Sequence, residues 1–66
     1  MKNSIKVERA INNLTQEELA NKIAVSRQTI NAMEANKYVP STVLALKIAK
    51  VFGKSVEDIF VLEETD

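Results

Sequence analysis

The sequence predicts an all-α protein of five short helices, and three observations carry this prediction. Apolar residues recur at intervals of three and four along several stretches, which is the spacing of one helix face. Four stretches follow a Ser or Thr that can cap a helix N-terminus, and three precede Asn or Gly, which tolerate the left-handed conformation of a C-cap. We expect residues 1–66 to form one domain, with 61–66 as a short acidic tail.

The first helix is expected from about Asn3 to Asn12, with Ile5 and the alkyl part of Arg9 facing inward. Asn13 suits the left-handed residue that ends a helix. The N-terminal residues are also candidates for a short strand pairing with the β-prone Val61-Leu62 pair near the C-terminus.

Two further helices follow, joined by a four-residue turn. Thr15 can cap the first of them in a capping box with Glu18, and this helix is expected to end near Ala24. Ser26 can cap the next helix, and Asn36 can end it in a left-handed conformation. The pair is expected to bury Leu19, Ala20, Ile23, Ile30 and Met33, while the outward face of its second helix carries Arg27, Gln28, Asn31 and Ala32.

Ser41 can cap a fourth helix from Thr42 to Phe52, and Gly53 can end it. Its buried stripe is expected to contain Ala45, Leu46, Ala49 and Phe52, widened by Leu44 and Ile48. Ser55 and Asp58 form a second capping box, which starts a short fifth helix. Its residues expected to pack on the core are Val56, Ile59 and Phe60.

Composition limits the function classes. The chain has no Cys and no His, so it lacks disulfides, the usual zinc ligands and the common catalytic nucleophile and base pairs. No carboxylate pair is placed in a plausible pocket, so we expect neither an enzyme nor a cofactor or metal. No apolar run approaches the length of a membrane span, and no signal-like N-terminus is present, so a cytoplasmic protein is expected.

The net charge is zero, but its distribution is uneven. Residues 1–54 contain all nine Lys and Arg residues and four acidic residues, a balance of +5. Residues 55–66 contain five acidic residues and no basic one, a balance of −5. If the protein binds nucleic acid, the basic part should face it and the acidic part should point away.

The outward face of the third helix carries side chains that are able to bind DNA bases. The forked side chains of Arg27 and Gln28 match the major-groove edges of guanine and adenine. The alternative is an ordinary solvated face, which amphipathic helices commonly have. The helix pair alone does not decide between these two readings.

The chain resembles the Cro/CI-type helix-turn-helix family of DNA-binding regulators. The resemblance is carried by LTQEELANKIAVSRQTINAMEANKYVPS and LALKIAKVFGKSVEDIF, which cover roughly residues 5–60. The positions that together are specific to this family are Gln16, Ala20, Val25, Ser26, Ile30 and Glu34. It implies a compact five-helix lambda-repressor-like DNA-binding domain.

The resemblance also implies roles for individual residues. Base contacts are expected from Arg27, Gln28, Asn31 and Ala32, with phosphate contact alone as the alternative for Arg27. Phosphate contacts are expected from Gln16, Ser26, Thr29, Lys37, Tyr38 and Ser41. Arg9 and Glu34 match a structural ion pair that locks the first helix against the third.

The chain departs from the family pattern in three ways. Ala35-Asn36 replaces the usual Asn-Gly, so one common phosphate contact is missing. Glu8 stands where the family usually has an aliphatic core residue, and Val7 and Ile11 are then expected on a face covered by the tail or by a partner. The zero net charge predicts modest non-specific DNA affinity.

The favoured function is a stand-alone transcriptional regulator, a repressor that occupies a palindromic operator as a homodimer. The candidate dimer residues are Val43, Val51, Phe60, Val61 and Leu62. The alternative is an antitoxin or another protein-interaction module with the same fold, whose acidic tail binds a partner.

Overall fold

Hydroxyl side chains begin four of the five helices in the computed structural model, which describes all 66 residues. The caps are Thr15, Ser26, Ser41 and Ser55, each accepting from a backbone N–H three residues later at 3.0–3.3 Å. The helices are α1 (Ile5–Ile11), α2 (Gln16–Lys22), α3 (Arg27–Glu34), α4 (Thr42–Phe52) and α5 (Val56–Ile59). The five predicted helices are confirmed.

Four helices end in the same way, at a residue with positive φ. These residues are Asn13, Ala24, Asn36 and Gly53, with φ of 55–66°. The N–H of the residue that follows each one donates to the carbonyl five positions earlier, as from Val25 to Ala20 and from Lys37 to Ala32. This is the Schellman closure. Asn13, Asn36 and Gly53 fit the predicted stops, whereas Ala24 is a residue that adopts this conformation only with strain.

The chain termini form a two-stranded antiparallel sheet. Strand β1 (Lys2–Asn3) pairs with β2 (Phe60–Val61), with Lys2 opposite Val61 and Asn3 opposite Phe60. The Met1 ammonium group lies 3.1 Å from a Glu63 oxygen and 3.0 Å from an Asp66 oxygen. The predicted pairing of the termini is confirmed, but the second strand consists of Phe60 and Val61 rather than Val61 and Leu62. Asn3 belongs to β1, so α1 starts at Ile5 rather than at Asn3.

The core draws on every helix and on β2. Its buried apolar residues are Ile5, Leu19, Ala20, Ile23, Ile30, Met33, Leu44, Ile48, Ala49, Phe52, Ile59 and Phe60. One predicted member is wrong, because Leu46 is 57% exposed and lies outside the core. Apolar residues surround much of α4, so their spacing alone does not identify the buried face.

The predicted arrangement of α1 also needs correction. Glu8 is buried, with 6% of its surface exposed, and its carboxylate accepts a hydrogen bond from Lys54. Val7 and Ile11 are exposed, so the tail does not cover them, and cover by a partner stays a prediction. The position facing the core is filled by the alkyl part of an ion-paired glutamate.

None of the five helices combines the length and apolar character needed to cross a membrane.

Candidate nucleic-acid interface

Helices α2 and α3 form one packed unit, with residues 23–26 between them. Leu19, Ala20 and Ile23 from the first segment are buried with Ile30 and Met33 from the second. Ala20 is only 2% exposed. A larger side chain there would collide with the core, because packed interiors have little free volume.

The opposite face of α3 is open. Arg27, Gln28 and Asn31 are exposed, and Ala32 is half-buried beside them. The side chains of Arg27 and Gln28 make no hydrogen bond within the protein, so their donors and acceptors are available to a partner. The structure thus brings the four expected base-contacting residues onto one face of one helix.

Ser26 and Thr29 are partly committed to the start of α3. Ser26 Oγ accepts from the Thr29 backbone N–H at 3.2 Å, and the two hydroxyls share a hydrogen bond at 2.9 Å. Ser26 is exposed and Thr29 half-buried. A phosphate contact from either hydroxyl therefore uses a group that also caps the helix.

Arg9 and Glu34 form an ion pair that joins α1 to the end of α3. Arg9 Nε donates to Glu34 Oε2 at 2.9 Å, and Arg9 Nη2 donates to Glu34 Oε1 at 3.3 Å. Arg9 Nη1 donates to the Leu14 carbonyl at 2.9 Å. The Glu34 side chain is 7% exposed, and its hydrogen bonds raise the pKa of the Arg9 guanidinium further. Arg9 therefore stays charged at any pH near neutrality.

Gln16 extends this ion pair to α2 and to the open face of α3. Its Nε2 donates to Glu34 Oε1 at 3.1 Å and to Asn31 Oδ1 at 3.3 Å. Both side-chain N–H groups are thereby used. A phosphate contact from Gln16 without loss of these bonds must come from its backbone N–H.

Two shallow clefts flank Gln16. One is lined by Arg9, Thr15, Gln16, Glu17 and Arg27. The other is lined by Lys6, Arg9, Gln16, Asn31, Glu34 and Ala35. Lys6 thus lies on the same side of the molecule as Asn31. The sequence does not single out Lys6, since nothing local distinguishes it from the other lysines.

The loop between α3 and α4 carries the remaining phosphate candidates. Lys37, Tyr38 and Ser41 are exposed in it. Ser41 Oγ also accepts from the Leu44 N–H at 3.2 Å, which caps α4. The hydroxyl hydrogen of Ser41 remains available to donate to an anion.

Asn3 supports this loop and was missed by sequence reasoning. Its Nδ2 donates to the Met33 carbonyl at 2.8 Å and to Asn36 Oδ1 at 3.2 Å. Its Oδ1 accepts from the Ile5 N–H at 3.2 Å. The terminal sheet therefore holds the C-terminal end of α3. The only sequence signal was an Asn just before a helix, where Asn is common for local capping reasons alone.

The acidic tail is partly neutralised by the chain's own N-terminus. The pKa of Asp66 is lowered first by a hydrogen bond from the Glu63 backbone N–H and then by one from the Met1 ammonium group. Contacts with Asp66 first and Glu63 second raise the pKa of the ammonium group. None of the tail's acidic residues lines either cleft beside Gln16.

Comparisons with known proteins agree with this fold. A family profile described as helix-turn-helix matches residues 5–59. The chain is 59% identical, over the full length of both chains, to an uncharacterised HTH-type transcriptional regulator of Methanocaldococcus jannaschii. It is 50% identical to the uncharacterised HTH-type transcriptional regulator YgzD of Bacillus subtilis, over 97% of each chain. A regulator of the same description from Archaeoglobus fulgidus is 50% identical over all of this chain and 93% of its own length. The chain therefore belongs to the Cro/CI-type helix-turn-helix family of DNA-binding regulators.

Proposed function

We propose that this protein is a sequence-specific transcriptional regulator that places α3 in the major groove of double-stranded DNA and represses by occupying its operator. The observation that carries this proposal is the open face of α3, where Arg27, Gln28 and Asn31 stand exposed while Glu34 is locked from behind by Arg9. A rigid helix with exposed forked side chains suits direct base readout. The names of the relatives support the regulatory role.

The base-contacting residues of the proposal are Arg27, Gln28, Asn31 and Ala32. Arg27 pairs with guanine, and the methyl group of Ala32 contacts a thymine methyl, each from the exposed side of α3. Gln28 pairs with adenine through its free amide. A good bidentate contact of this kind discriminates against the wrong base by about 1–3 kcal/mol.

Phosphate contacts come from both sides of α3. Lys37, Tyr38 and Ser41 provide them from the loop after the helix, and Ser26 and Thr29 provide them from its beginning. Gln16 contributes its backbone N–H. The position of Lys6 in the cleft beside Asn31 adds it to this set. These contacts fix the protein on the duplex without reading sequence.

The working form of the proposal is a two-fold homodimer on a palindromic operator. An apolar groove lined by Met1, Val39, Pro40, Thr42, Ala45, Leu46, Val56 and Phe60 supports it. The neighbouring apolar side chains Val43, Val61 and Leu62 are 55–76% exposed. Of the other dimer candidates, Phe60 is buried in its own subunit and Val51 is half-buried, so they carry less of the surface. Two subunits joined here would present two recognition helices about 34 Å apart to successive major grooves.

Selection of bound sequences from random duplex DNA tests the proposal. We expect an enriched palindromic site, and we expect Arg27→Ala and Gln28→Ala to relax the preference at separate positions within each half-site. Lys37→Ala should weaken binding to all sequences alike and reduce its salt dependence. Binding without any sequence enrichment would refute base reading, and enrichment of a single half-site would refute the dimeric mode.

A further inference from the structure

The hydrogen-bond polarity around Glu34 fixes the orientation of the Gln16 amide. The Glu34 carboxylate is paired with Arg9 and carries only acceptors. The Gln16 atom that lies 3.1 Å from Glu34 Oε1 must therefore be the donor nitrogen Nε2. The Arg9–Glu34 pair thus determines that the nitrogen, and not the oxygen, of the Gln16 amide points toward α3.

The same logic orients Asn31. Gln16 Nε2 also lies 3.3 Å from the nearest atom of the Asn31 amide, and only an oxygen can accept its second N–H. Asn31 Oδ1 is therefore turned toward Gln16. Asn31 Nδ2, the other end of this exposed amide, has no hydrogen-bond partner in the protein and is the end left to face a ligand.

We propose that Gln16 is a positioning residue that holds Asn31 as a hydrogen-bond donor, so that Asn31 selects guanine in the operator. This inference rests on the proposed DNA-binding function. Guanine presents two acceptors, N7 and O6, on its major-groove edge, whereas thymine presents one acceptor beside its methyl group, cytosine a donor, and adenine one donor and one acceptor. Without Gln16 the Asn31 amide turns over freely and presents either end, so the preference for an acceptor edge weakens.

The test compares selected binding sites of the natural protein with those of three variants. Asn31→Ala identifies the base pair that Asn31 contacts, as the position where its preference is lost. Gln16→Met removes both amide donors at nearly constant length and charge, and Gln16→Lys keeps a donor that can reach Glu34 and Asn31. We expect guanine at the Asn31 position, a preference for it about threefold to tenfold weaker in Gln16→Met, and a retained preference in Gln16→Lys.

A second measurement needs no variant of Gln16, so it remains valid if that variant folds poorly. Replacing the guanine by 7-deazaguanine removes the N7 acceptor and should weaken binding of the natural protein about threefold to tenfold, with no further loss in Asn31→Ala. Circular dichroism melts confirm the fold of each variant.

The outcomes separate the inference from the proposed function. A natural protein that enriches no sequence overturns both. An enriched operator with cytosine, adenine or thymine at the Asn31 position overturns only the inference, and so does an undiminished guanine preference in folded Gln16→Met.

Discussion

Lys54 Nζ lies 2.6 Å from Glu8 Oε2, and this ion pair joins α1 to the residues after α4. The Glu8 side chain is 7% exposed, whereas that of Lys54 is 44% exposed. The Lys54 ammonium group can therefore be hydrated when the ion pair is broken, whereas the Glu8 carboxylate stays buried. The buried carboxylate depends on its partner, while the partner does not depend on the carboxylate to the same degree.

This asymmetry predicts unequal effects of the two single substitutions. Lys54→Met should lower the free energy of unfolding by about 1–3 kcal/mol, because it leaves a buried carboxylate unpaired. Glu8→Leu should be close to neutral or stabilising, since an apolar side chain of similar size suits this buried position. Urea denaturation measures both, and Glu8→Leu combined with Lys54→Met should recover most of the loss. A double variant as unstable as Lys54→Met would contradict this account of the pair.

The Glu8 pair also shows where sequence reasoning reaches its limit. The helices were predictable because caps such as Ser41 and stops such as Gly53 act within a few residues of the helix ends. The partner of Glu8 lies 46 positions away in the sequence, so no local pattern indicates it. The hydrogen bonds from Gln16 to Asn31 and Glu34 cannot be predicted from the sequence either, because they depend on how α2 and α3 cross.

The sequence alone does not identify which face of α4 packs inward. The reason differs from that for the Glu8 pair. The α4 sequence TVLALKIAKVF has apolar residues on nearly all sides, so more than one stripe satisfies helical spacing. Tertiary packing selects Leu44, Ile48, Ala49 and Phe52 for the core and leaves Leu46 outside. The open face of α3 was easier to predict, because Arg27, Gln28 and Asn31 interrupt the apolar pattern clearly.

Removing Glu34 should destabilise the protein and loosen the attachment of α3 to α1. Glu34→Ala leaves Arg9, with 17% of its side chain exposed, without its carboxylate, and we expect a loss of about 2–4 kcal/mol. Arg27→Ala is the matched control, because Arg27 is exposed and has no internal hydrogen bond; its effect on stability should stay within about 0.5 kcal/mol. Thermal unfolding of both variants gives the comparison. Equal stabilities would show that the ion pair does not support the fold.

Ala24 offers a simple route to a more stable protein. Its φ of 58° lies in the left-handed region, where a Cβ atom crowds the backbone and where glycine is free of this strain. Ala24→Gly should therefore raise the free energy of unfolding by up to about 1 kcal/mol, after the entropy gained by the unfolded chain is subtracted. Ala35, with φ of −84°, is exposed at the end of α3, and Ala35→Gly should instead destabilise by about 0.5–1 kcal/mol. If both substitutions changed the free energy of unfolding in the same direction, backbone conformation would not explain their effects.

The capping box of α2 should contribute to acid sensitivity. Hydrogen bonds from the Thr15 backbone and side chain lower the pKa of Glu18 below its ordinary value of 4.5. Because the folded-state pKa is the lower one, this contribution is fully present above the unfolded-state pKa and is lost as pH falls through the folded-state value. Carbon NMR titration of the Glu18 carboxyl group should show the lowered pKa, and Thr15→Ala should move it toward 4.5. Thr15→Ala keeps the backbone hydrogen bond, so an unchanged titration would assign the shift to that bond and not to the Thr15 hydroxyl.

The apolar groove beside α4 should control self-association. Leu46 is 57% exposed and lines the groove, so Leu46→Lys places a charge in the proposed dimer surface without disturbing the core. Ile11 is equally suited as a control, since it is 65% exposed on α1 and does not line the groove. Sedimentation velocity should show a dimer for the natural protein and for Ile11→Lys, and a mostly monomeric species for Leu46→Lys. The same monomer should bind a palindromic operator more weakly, because each half-site then has to be occupied independently. A dimer that persists in Leu46→Lys would place the interface elsewhere on the molecule.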